Sequence, residues 1–173
     1  KMAFEEASNS GYLLGGETIT VLEGDSTCAD SAAGTAAAED LVAQGVSAIM
    51  GADCSGVTGA INANVAVPNG ILMVSPSATS PALSGINDAG TFWRTAPSDA
   101  KGGQILANLA LSKGINSIAI TYTNNDYGIG LAEVFQKAFT SGGGTVTVFA
   151  SHEEDKGDYS SEVGVLASAG GGA

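Results

Sequence analysis

Residues 41–56 read LVAQGVSAIMGADCSG, and this stretch contains the order of elements that decides the fold. The first residues of this stretch are predicted to be the last turn of a helix. Gly45 ends that helix, because glycine readily takes the left-handed backbone conformation. A short apolar strand follows at 46–50, and the loop 51–55 then leads into another helix. A helix, a strand and a strand-to-helix loop in so few residues are typical of a parallel α/β sheet.

The same alternation of strands and helices continues along the rest of the chain. Strands are predicted at 17–23, 46–50, 71–74, 91–95, 116–122 and 145–150, and helices at 1–9, 31–44, 57–67, 99–112, 127–140 and 160–168. Ser98 is placed to cap the fourth helix. Segments such as 117–120 (SIAI) suit strands that are buried on both faces. We therefore predict an α/β fold, a three-layer parallel sheet.

The composition excludes several classes of partner. The chain has 173 residues with 18 Asp and Glu against 6 Lys and Arg, which gives a formal net charge of -12. This charge repels a phosphate backbone and an anionic membrane surface, so neither nucleic acid nor a lipid surface is expected as a partner. No apolar run approaches the ~20 residues that a membrane helix needs. A folded globular chain is expected.

The sequence offers little for catalysis, a metal ion or a cofactor. His152 is the only histidine, and we expect a solvated loop residue because it begins an acidic stretch without metal-ligand spacing. Ser55 lacks the Gly-x-Ser-x-Gly pattern of a hydrolase nucleophile. Gly128 and Gly130 open a helix, but Glu133 stands where a dinucleotide-binding motif has its third glycine. We therefore predict that the protein is not an enzyme and has no metal or cofactor.

Three loops are the expected place for a ligand, because ligands of parallel α/β sheets bind where strand ends lead into helices. These loops, 51–55, 75–79 and 122–128, are rich in hydroxyl groups and glycine and carry no basic side chain. Ser55 and the helix amides after it could hold a carboxylate, although a serine there more often only caps its helix. The second loop could accept from an ammonium group or be a simple turn. Tyr127 could line a pocket or pack on its own sheet.

The two cysteines, Cys28 and Cys54, follow successive predicted strands. In a parallel sheet these positions are neighbours, so a disulfide between them is sterically plausible. The alternative is a pair of buried free thiols in a cytosolic protein. A redox role is less expected because the chain has no Cys-x-x-Cys pair.

Four stretches of the chain resemble the periplasmic branched-chain amino acid binding proteins, the type I solute-binding proteins of ABC transporters. They are 41–51 (LVAQGVSAIMG), 70–81 (GILMVSPSATSP), 92–95 (FWRT) and 125–132 (NDYGIGLA). They follow the family's order and spacing over essentially the whole chain. The resemblance implies a periplasmic or extracytoplasmic protein with two hinged, Rossmann-like lobes, which closes on a small ligand and delivers it to a membrane permease.

The resemblance also implies a division of the chain and a first-lobe disulfide between Cys28 and Cys54. Residues 1–121 would form most of the first lobe, and residues 122–173 would begin the second. We expect a fragment that is incomplete at both ends, because residues 1–9 look like the later turns of a helix and no strand follows the last helix. Such a fragment is expected to expose sheet edges and to form a homodimer or be poorly soluble.

The ligand contacts implied by the resemblance are Ser55, Ser77, Ala78, Thr79 and Tyr127. The Ser55 hydroxyl would hold the ligand carboxylate. The backbone carbonyl of Ser77 and the hydroxyl of Thr79 would accept from the ammonium group, and Tyr127 would cover the ligand from the second lobe. Three alternatives remain: a ligand-sensing domain of a receptor or regulator, a binder of amides, urea or aromatic acids, and a cytosolic flavodoxin-like enzyme with a phosphate or nucleotide ligand.

Overall fold

A computed structural model describes residues 1–169 of the chain. The helices are α1 (Met2–Asn9), α2 (Ser31–Ala43), α3 (Ser55–Ile61), α4 (Val67–Asn69), α5 (Asp99–Ser112), α6 (Asp126–Ser141) and α7 (Ser160–Ser168). The strands are β1 (Ala48–Met50), β2 (Leu72–Ser75), β3 (Phe92–Arg94), β4 (Ser117–Thr123) and β5 (Thr145–His152). Residues 170–173, the end of the expected second-lobe segment, lie outside the described residues.

The strands form two parallel sheets, which confirms the predicted α/β class. In the first sheet β2 lies between β1 and β3, so that Met73 pairs with both Ile49 and Phe92. In the second sheet β4 pairs with β5. Parallel strands need a crossover connection. Helices α3 and α4 connect β1 to β2 and α6 connects β4 to β5, whereas a loop with a 3₁₀ turn over Pro81–Gly85 connects β2 to β3.

The core of the first sheet is built by one face of the helical segment after β1. Val57, Ile61 and Val65 follow each other at intervals of four residues and are at most 2% exposed, and they belong to the same buried cluster as Met73 of β2. Burying one side chain of this size stabilises the fold by about 1.5–3 kcal/mol. This packing fixes the start of α3, and with it Ser55, relative to the strand ends.

The helical segment passes through Pro68, where the sequence predicted an end. A π-helical turn over Asn62–Ala66 joins α3 to α4, and Gly70, with φ of 63°, ends the segment. Proline is tolerated because it lies in the first turn of α4, where a backbone N–H is not needed for the helix.

The predicted strand at 17–23 is wrong. These residues are largely exposed and form no backbone ladder with any other described residue. Within residues 1–169, the one hydrogen bond of this segment runs from the backbone N–H of Ile19 to the Ser8 hydroxyl, at 2.9 Å. Strand-forming residues become a strand only when a neighbouring strand supplies donors and acceptors, and none of residues 1–169 does so here.

The second sheet begins earlier than the expected lobe boundary at 121/122. That boundary falls inside β4, whose residues pair with β5 along the whole strand. Helix α5, which precedes β4, packs on α6 so closely that a Cβ at Gly103 would lie 2.9 Å from Cγ1 of Val134. Sheet membership thus favours a boundary between β3 and α5, and the lobe boundary itself stays a prediction.

Candidate ligand-binding site at the strand ends

The backbone carbonyl of Ala52 joins two of the three expected loops. It accepts hydrogen bonds from the hydroxyls of Ser75 at 2.6 Å and Thr58 at 3.0 Å, and all three residues are buried. The Ser75 hydroxyl accepts in turn from the backbone N–H of Ala78 at 3.1 Å. Because an unmade buried hydrogen bond costs about 1–3 kcal/mol, this chain of bonds holds the loop after β2 against the end of β1.

Ser55 is the first residue of α3 and is 3% exposed. Its hydroxyl oxygen accepts a hydrogen bond from the backbone N–H of Ser80 at 3.1 Å. The alternative that Ser55 only caps its own helix is wrong, because Cys54 occupies the cap position and no side-chain cap bond forms. A hydroxyl that accepts one bond still has its proton to donate, and a carboxylate is a suitable acceptor.

The loop after β2 carries free acceptors next to Ser55. The Ser77 hydroxyl donates to the backbone carbonyl of Asp53 at 2.9 Å, and Ala78 is buried. Among residues 1–169, neither the backbone carbonyl of Ser77 nor the hydroxyl of half-buried Thr79 has a hydrogen-bond partner. These are the two groups that the resemblance assigned to an ammonium group.

Arg94 braces this loop, and the sequence analysis did not identify that role. From β3 its Nη1 donates to the backbone carbonyls of Ala78 at 3.0 Å and Ser80 at 2.9 Å, while Nη2 donates to the Ser84 hydroxyl at 2.7 Å. The only sequence signal was its place in the stretch FWRT. Its neighbour Trp93 is 63% exposed on the same edge strand.

Asp99, the first residue of α5, is a second residue that the sequence analysis missed. Its backbone N–H donates to the carbonyl of Thr79 at 3.0 Å, so it lies directly against the same loop. Its Oδ2 is buried and has no hydrogen-bond partner within the described part of the chain. In the sequence it looked like any acidic residue in a first helical turn, where the helix dipole favours it.

The predicted disulfide between Cys28 and Cys54 is confirmed. Their Cα atoms lie 5.4 Å apart, within the usual range of ~4.4–6.8 Å. The alternative of two free thiols is therefore wrong. Since Cys54 is the cap residue of α3, the disulfide anchors the peptide that carries Ser55.

The first turn of helix α6, which carries Tyr127, lies against the same edge through Asp126 and Gly130. A Cβ at Gly56, beside Ser55, would lie 3.5 Å from the Asp126 carboxylate, and a Cβ at Gly130 would lie 3.0 Å from the Ser80 hydroxyl oxygen. Tyr127 comes between these two contacts in the sequence and is 47% exposed. This exposure favours the pocket-lining interpretation over packing on its own sheet.

Two cavities in the described residues are lined by neither Ser55, Ser77, Thr79 nor Tyr127, although the second includes Arg94 of the brace. One, of about 230 Å³, is lined by Thr121, Ala150, Ser151, Ser161, Glu162 and Val165, and the other, of about 250 Å³, by Leu83, Ser84, Asp88, Phe92, Trp93 and Arg94. The candidate site is therefore defined by its hydrogen-bonding groups.

His152 is not the loop residue that the sequence suggested. It is the last residue of β5, half-buried, with Nδ1 2.7 Å from the Thr121 hydroxyl oxygen and its ring edge-on to Tyr159. The strand simply runs two residues further than the apolar pattern indicated.

Within residues 1–169, no group of three His, Cys, Asp or Glu side chains is arranged to hold a metal ion. None of the helices in this part of the chain combines the length and the apolar character that a membrane crossing requires.

A family model described as the receptor family ligand binding region matches residues 1–166. The chain belongs to this family. Among its relatives, Leu/Ile/Val-binding protein homolog 3 of Brucella melitensis biotype 1 is 29% identical over 169 residues, which are 97% of this chain and 45% of that protein. Leu/Ile/Val-binding protein BraC3 of Rhizobium johnstonii is 30% identical over 149 residues, 84% of this chain and 39% of that protein.

A solved structure shows the same fold. The branched-chain amino acid transporter substrate binding protein LivJ of Streptococcus pneumoniae, in complex with isoleucine, superposes with a TM-score of 0.80 at 25% identity and covers 96% of this chain. The chain spans less than half the length of these relatives, 39–46%. The type I periplasmic binding protein fold and the resemblance to Leu/Ile/Val-binding proteins are thereby confirmed.

Proposed function

We propose that the chain is part of an extracytoplasmic solute-binding protein of an ABC importer, and that it binds an amino acid between two hinged lobes. The observation that carries the proposal is a set of groups at one sheet edge whose hydrogen-bonding capacity is not filled within residues 1–169. The Ser55 hydroxyl has a proton to donate to a carboxylate, while the Ser77 carbonyl and the Thr79 hydroxyl have lone pairs for an ammonium group. An α-amino acid presents both groups two bonds apart.

The charges around the site support an ammonium group on the ligand. Asp99 adjoins Thr79 and has a buried carboxylate oxygen without a donor among residues 1–169. A buried acceptor of this kind is costly unless a donor arrives. The three strand-end loops carry no basic side chain, so helix amides and hydroxyl groups would receive the carboxylate.

The relatives support the coarser parts of the proposal. They are named as Leu/Ile/Val-binding proteins, and LivJ is named as the binding protein of a transporter and was solved with isoleucine. A branched-chain amino acid is the proposed ligand, a membrane permease the proposed partner and the periplasm the proposed location. We place the division between the lobes at 95–99, before α5, because β4 belongs to the second sheet. The homodimer stays a prediction.

The description of the family favours one second candidate. A receptor ligand-binding region senses its ligand instead of delivering it. Transport by the full-length protein with its permease in vesicles separates the two. Ligand uptake supports the importer, whereas tight binding without uptake supports the sensor.

Calorimetric titration of the refolded full-length protein tests the binding proposal. Leucine, isoleucine, valine, small amides and an aromatic acid form the ligand panel. We expect one branched-chain amino acid to bind tightly, and Ser55→Ala and Thr79→Ala to weaken that binding by at least ~1 kcal/mol each. The matched control is Ser112→Ala, whose hydroxyl donates only to the Leu109 carbonyl of its own helix. Absence of binding across the panel, or binding that neither substitution weakens, would overturn the proposal.

A further inference from the structure

Two consecutive asparagines after β4 are bonded to two consecutive glutamates after β5. Nδ2 of Asn124 donates to Oε1 of Glu153, and Nδ2 of Asn125 donates to Oε1 of Glu154, both at 2.7 Å. The backbone N–H of Asn124 also donates to the carbonyl of His152 at 2.9 Å. The loop after β5 is therefore bonded to the segment that leads into α6.

The two asparagine–glutamate bonds differ in what they hold. Asn125 is the cap residue of α6, and its Oδ1 accepts from the backbone N–H of Gly128 at 2.8 Å. The ionised carboxylate of Glu154 only accepts hydrogen bonds, so it must face the NH₂ group of Asn125 and leave Oδ1 for Gly128. Asn124 makes no such contact with the helix. Glu154 thus fixes which way the capping amide faces from the NH₂ side, while the Thr123 hydroxyl donates to Oδ1 at 3.3 Å on the other side.

The first turn of α6 has little freedom to adopt a different position. A Cβ at Gly128 would collide with the carbonyl oxygen of Thr123, because the helix lies so close to the end of β4. This first turn of α6, packed against the end of β4, carries Tyr127. A different orientation of the Asn125 side-chain amide would therefore shift Tyr127, the residue that is expected to cover the ligand.

The loop that carries Glu154 is itself anchored. The Tyr159 hydroxyl donates to the carbonyl of Glu153 and accepts from the backbone N–H of Lys156, both at 3.2 Å. The Lys156 ammonium in turn forms an ion pair with Glu162 of α7. Glu154 therefore lies in a segment whose neighbouring residues are held in place by hydrogen bonds and an ion pair.

We propose that Glu154 is a positioning residue for ligand binding, acting through Asn125 and Gly128 on Tyr127. This inference rests on the proposed function only for the ligand contact of Tyr127. The positioning itself depends on the hydrogen bonds alone. The chain also offers a matched control, since Glu153 makes a bond of the same length to an asparagine that does not cap the helix.

Amide hydrogen exchange of Gly128 in the full-length protein tests the positioning directly. We expect Glu154→Ala to accelerate this exchange about three- to tenfold, since it removes one hydrogen bond from the cap. Glu154→Gln keeps an acceptor oxygen and should stay near the original rate, and Glu153→Ala should leave Gly128 unchanged. Equal acceleration by both alanine substitutions, or none by Glu154→Ala, would overturn the inference.

Titration with leucine and isoleucine tests the link to Tyr127. Glu154→Ala should weaken binding about three- to tenfold, and Glu154→Gln should restore it. In a Tyr127→Ala background the further loss should largely disappear, because the two residues act through one contact. An undiminished loss there would show that Glu154 does not act through Tyr127. If the unsubstituted protein binds neither amino acid, the proposed ligand is wrong, and the exchange rates still decide the positioning role.

Discussion

The backbone N–H of Ser80 donates to the hydroxyl oxygen of Ser55 at 3.1 Å, across 25 residues of sequence. The bond ties the start of α3 to the end of the loop after β2, and both residues are buried. The hydroxyl oxygen is the acceptor in this bond, so the hydroxyl proton remains available to donate to the proposed ligand. Ser55 therefore connects the two loops that form the candidate site.

Replacing Ser55 by alanine should destabilise the fold even without a ligand. The Ser80 amide would lose its acceptor in a buried position, and we expect a loss of about 1–3 kcal/mol in the free energy of unfolding. Urea unfolding of the ligand-free protein measures it. Ser112→Ala, on the exposed side of α5, should stay within about 0.5 kcal/mol. Equal stability of the two variants would contradict the structural role of Ser55.

Replacing Arg94 by lysine should loosen the loop while keeping the charge. A lysine ammonium cannot span the two carbonyls and the Ser84 hydroxyl that the guanidinium reaches. We expect a loss of about 1–3 kcal/mol in unfolding free energy. Lys101→Arg, on the exposed surface of α5, controls for an exchange between the two cationic side chains. A fully stable Arg94→Lys protein would show that the brace is not needed.

Reduction of the disulfide should lower stability by about 3–4 kcal/mol, because the bond closes a loop with a sequence separation of 26. Thermal unfolding with and without a thiol reductant measures the effect. The double variant Cys28→Ser, Cys54→Ser is the internal control, since the chain has only 2 cysteines. A reductant that shifts the melting temperature of this variant as well would mean that the effect does not come from the disulfide.

Stability should decrease in acid partly through Glu162. The hydrogen bond from Lys156, aided by the Ser161 hydroxyl, lowers the pKa of this carboxyl from its ordinary 4.5 to about 2. A group with a lowered folded-state pKa stabilises the fold above its unfolded-state pKa, and loses that contribution as the pH falls from 4.5 towards 2. Ser160 likewise lowers the pKa of Asp158 by a hydrogen bond.

Melting temperatures between pH 7 and 2 test the contribution of Glu162. Glu162→Gln should melt lower than the unsubstituted protein at neutral pH and converge with it in acid. Glu133→Gln, on an exposed position of α6, should run parallel to the unsubstituted protein throughout. A constant gap for Glu162→Gln over the whole range would exclude the pKa shift as its cause.

Two helical glycines should respond in opposite ways to alanine. At Gly128 a Cβ would collide with the Thr123 carbonyl, whereas nothing lies within 4 Å of a Cβ at Gly102. We expect Gly128→Ala to lose about 2 kcal/mol or more, and Gly102→Ala to gain about 0.5–1 kcal/mol from helix propensity. Urea unfolding of both variants measures the difference. Stabilisation in both would show that α6 can move away from β4.

The sequence predicted elements whose signals are local. The helix at 99–112 and its cap Ser98 follow from apolar spacing and a capping residue, and both are confirmed. The segment 17–23 has strand-forming residues, but pairing depends on a partner that composition does not reveal. Pro68 was placed as a helix end because the π-helical turn before it has no local signal.

The candidate site was predictable from the sequence only where a family pattern exists. The resemblance supplied Ser55, Thr79 and Tyr127, but not the two residues that complete their surroundings. Arg94 acts 14 and 16 residues away from the carbonyls that it binds, and Asp99 is notable only for a buried oxygen without a donor. Such contacts depend on tertiary packing, which no periodicity encodes.

Trp93 is the only tryptophan of the chain and stands on an edge strand, 63% exposed, beside the arginine that holds the candidate site in shape. Indole emission of these 173 residues therefore arises from a single position, one residue from the Arg94 brace. In this chain Trp93 is thus an intrinsic fluorescent reporter for the loop after β2. A change in the wavelength or intensity of its emission would report loosening of that loop without an attached dye.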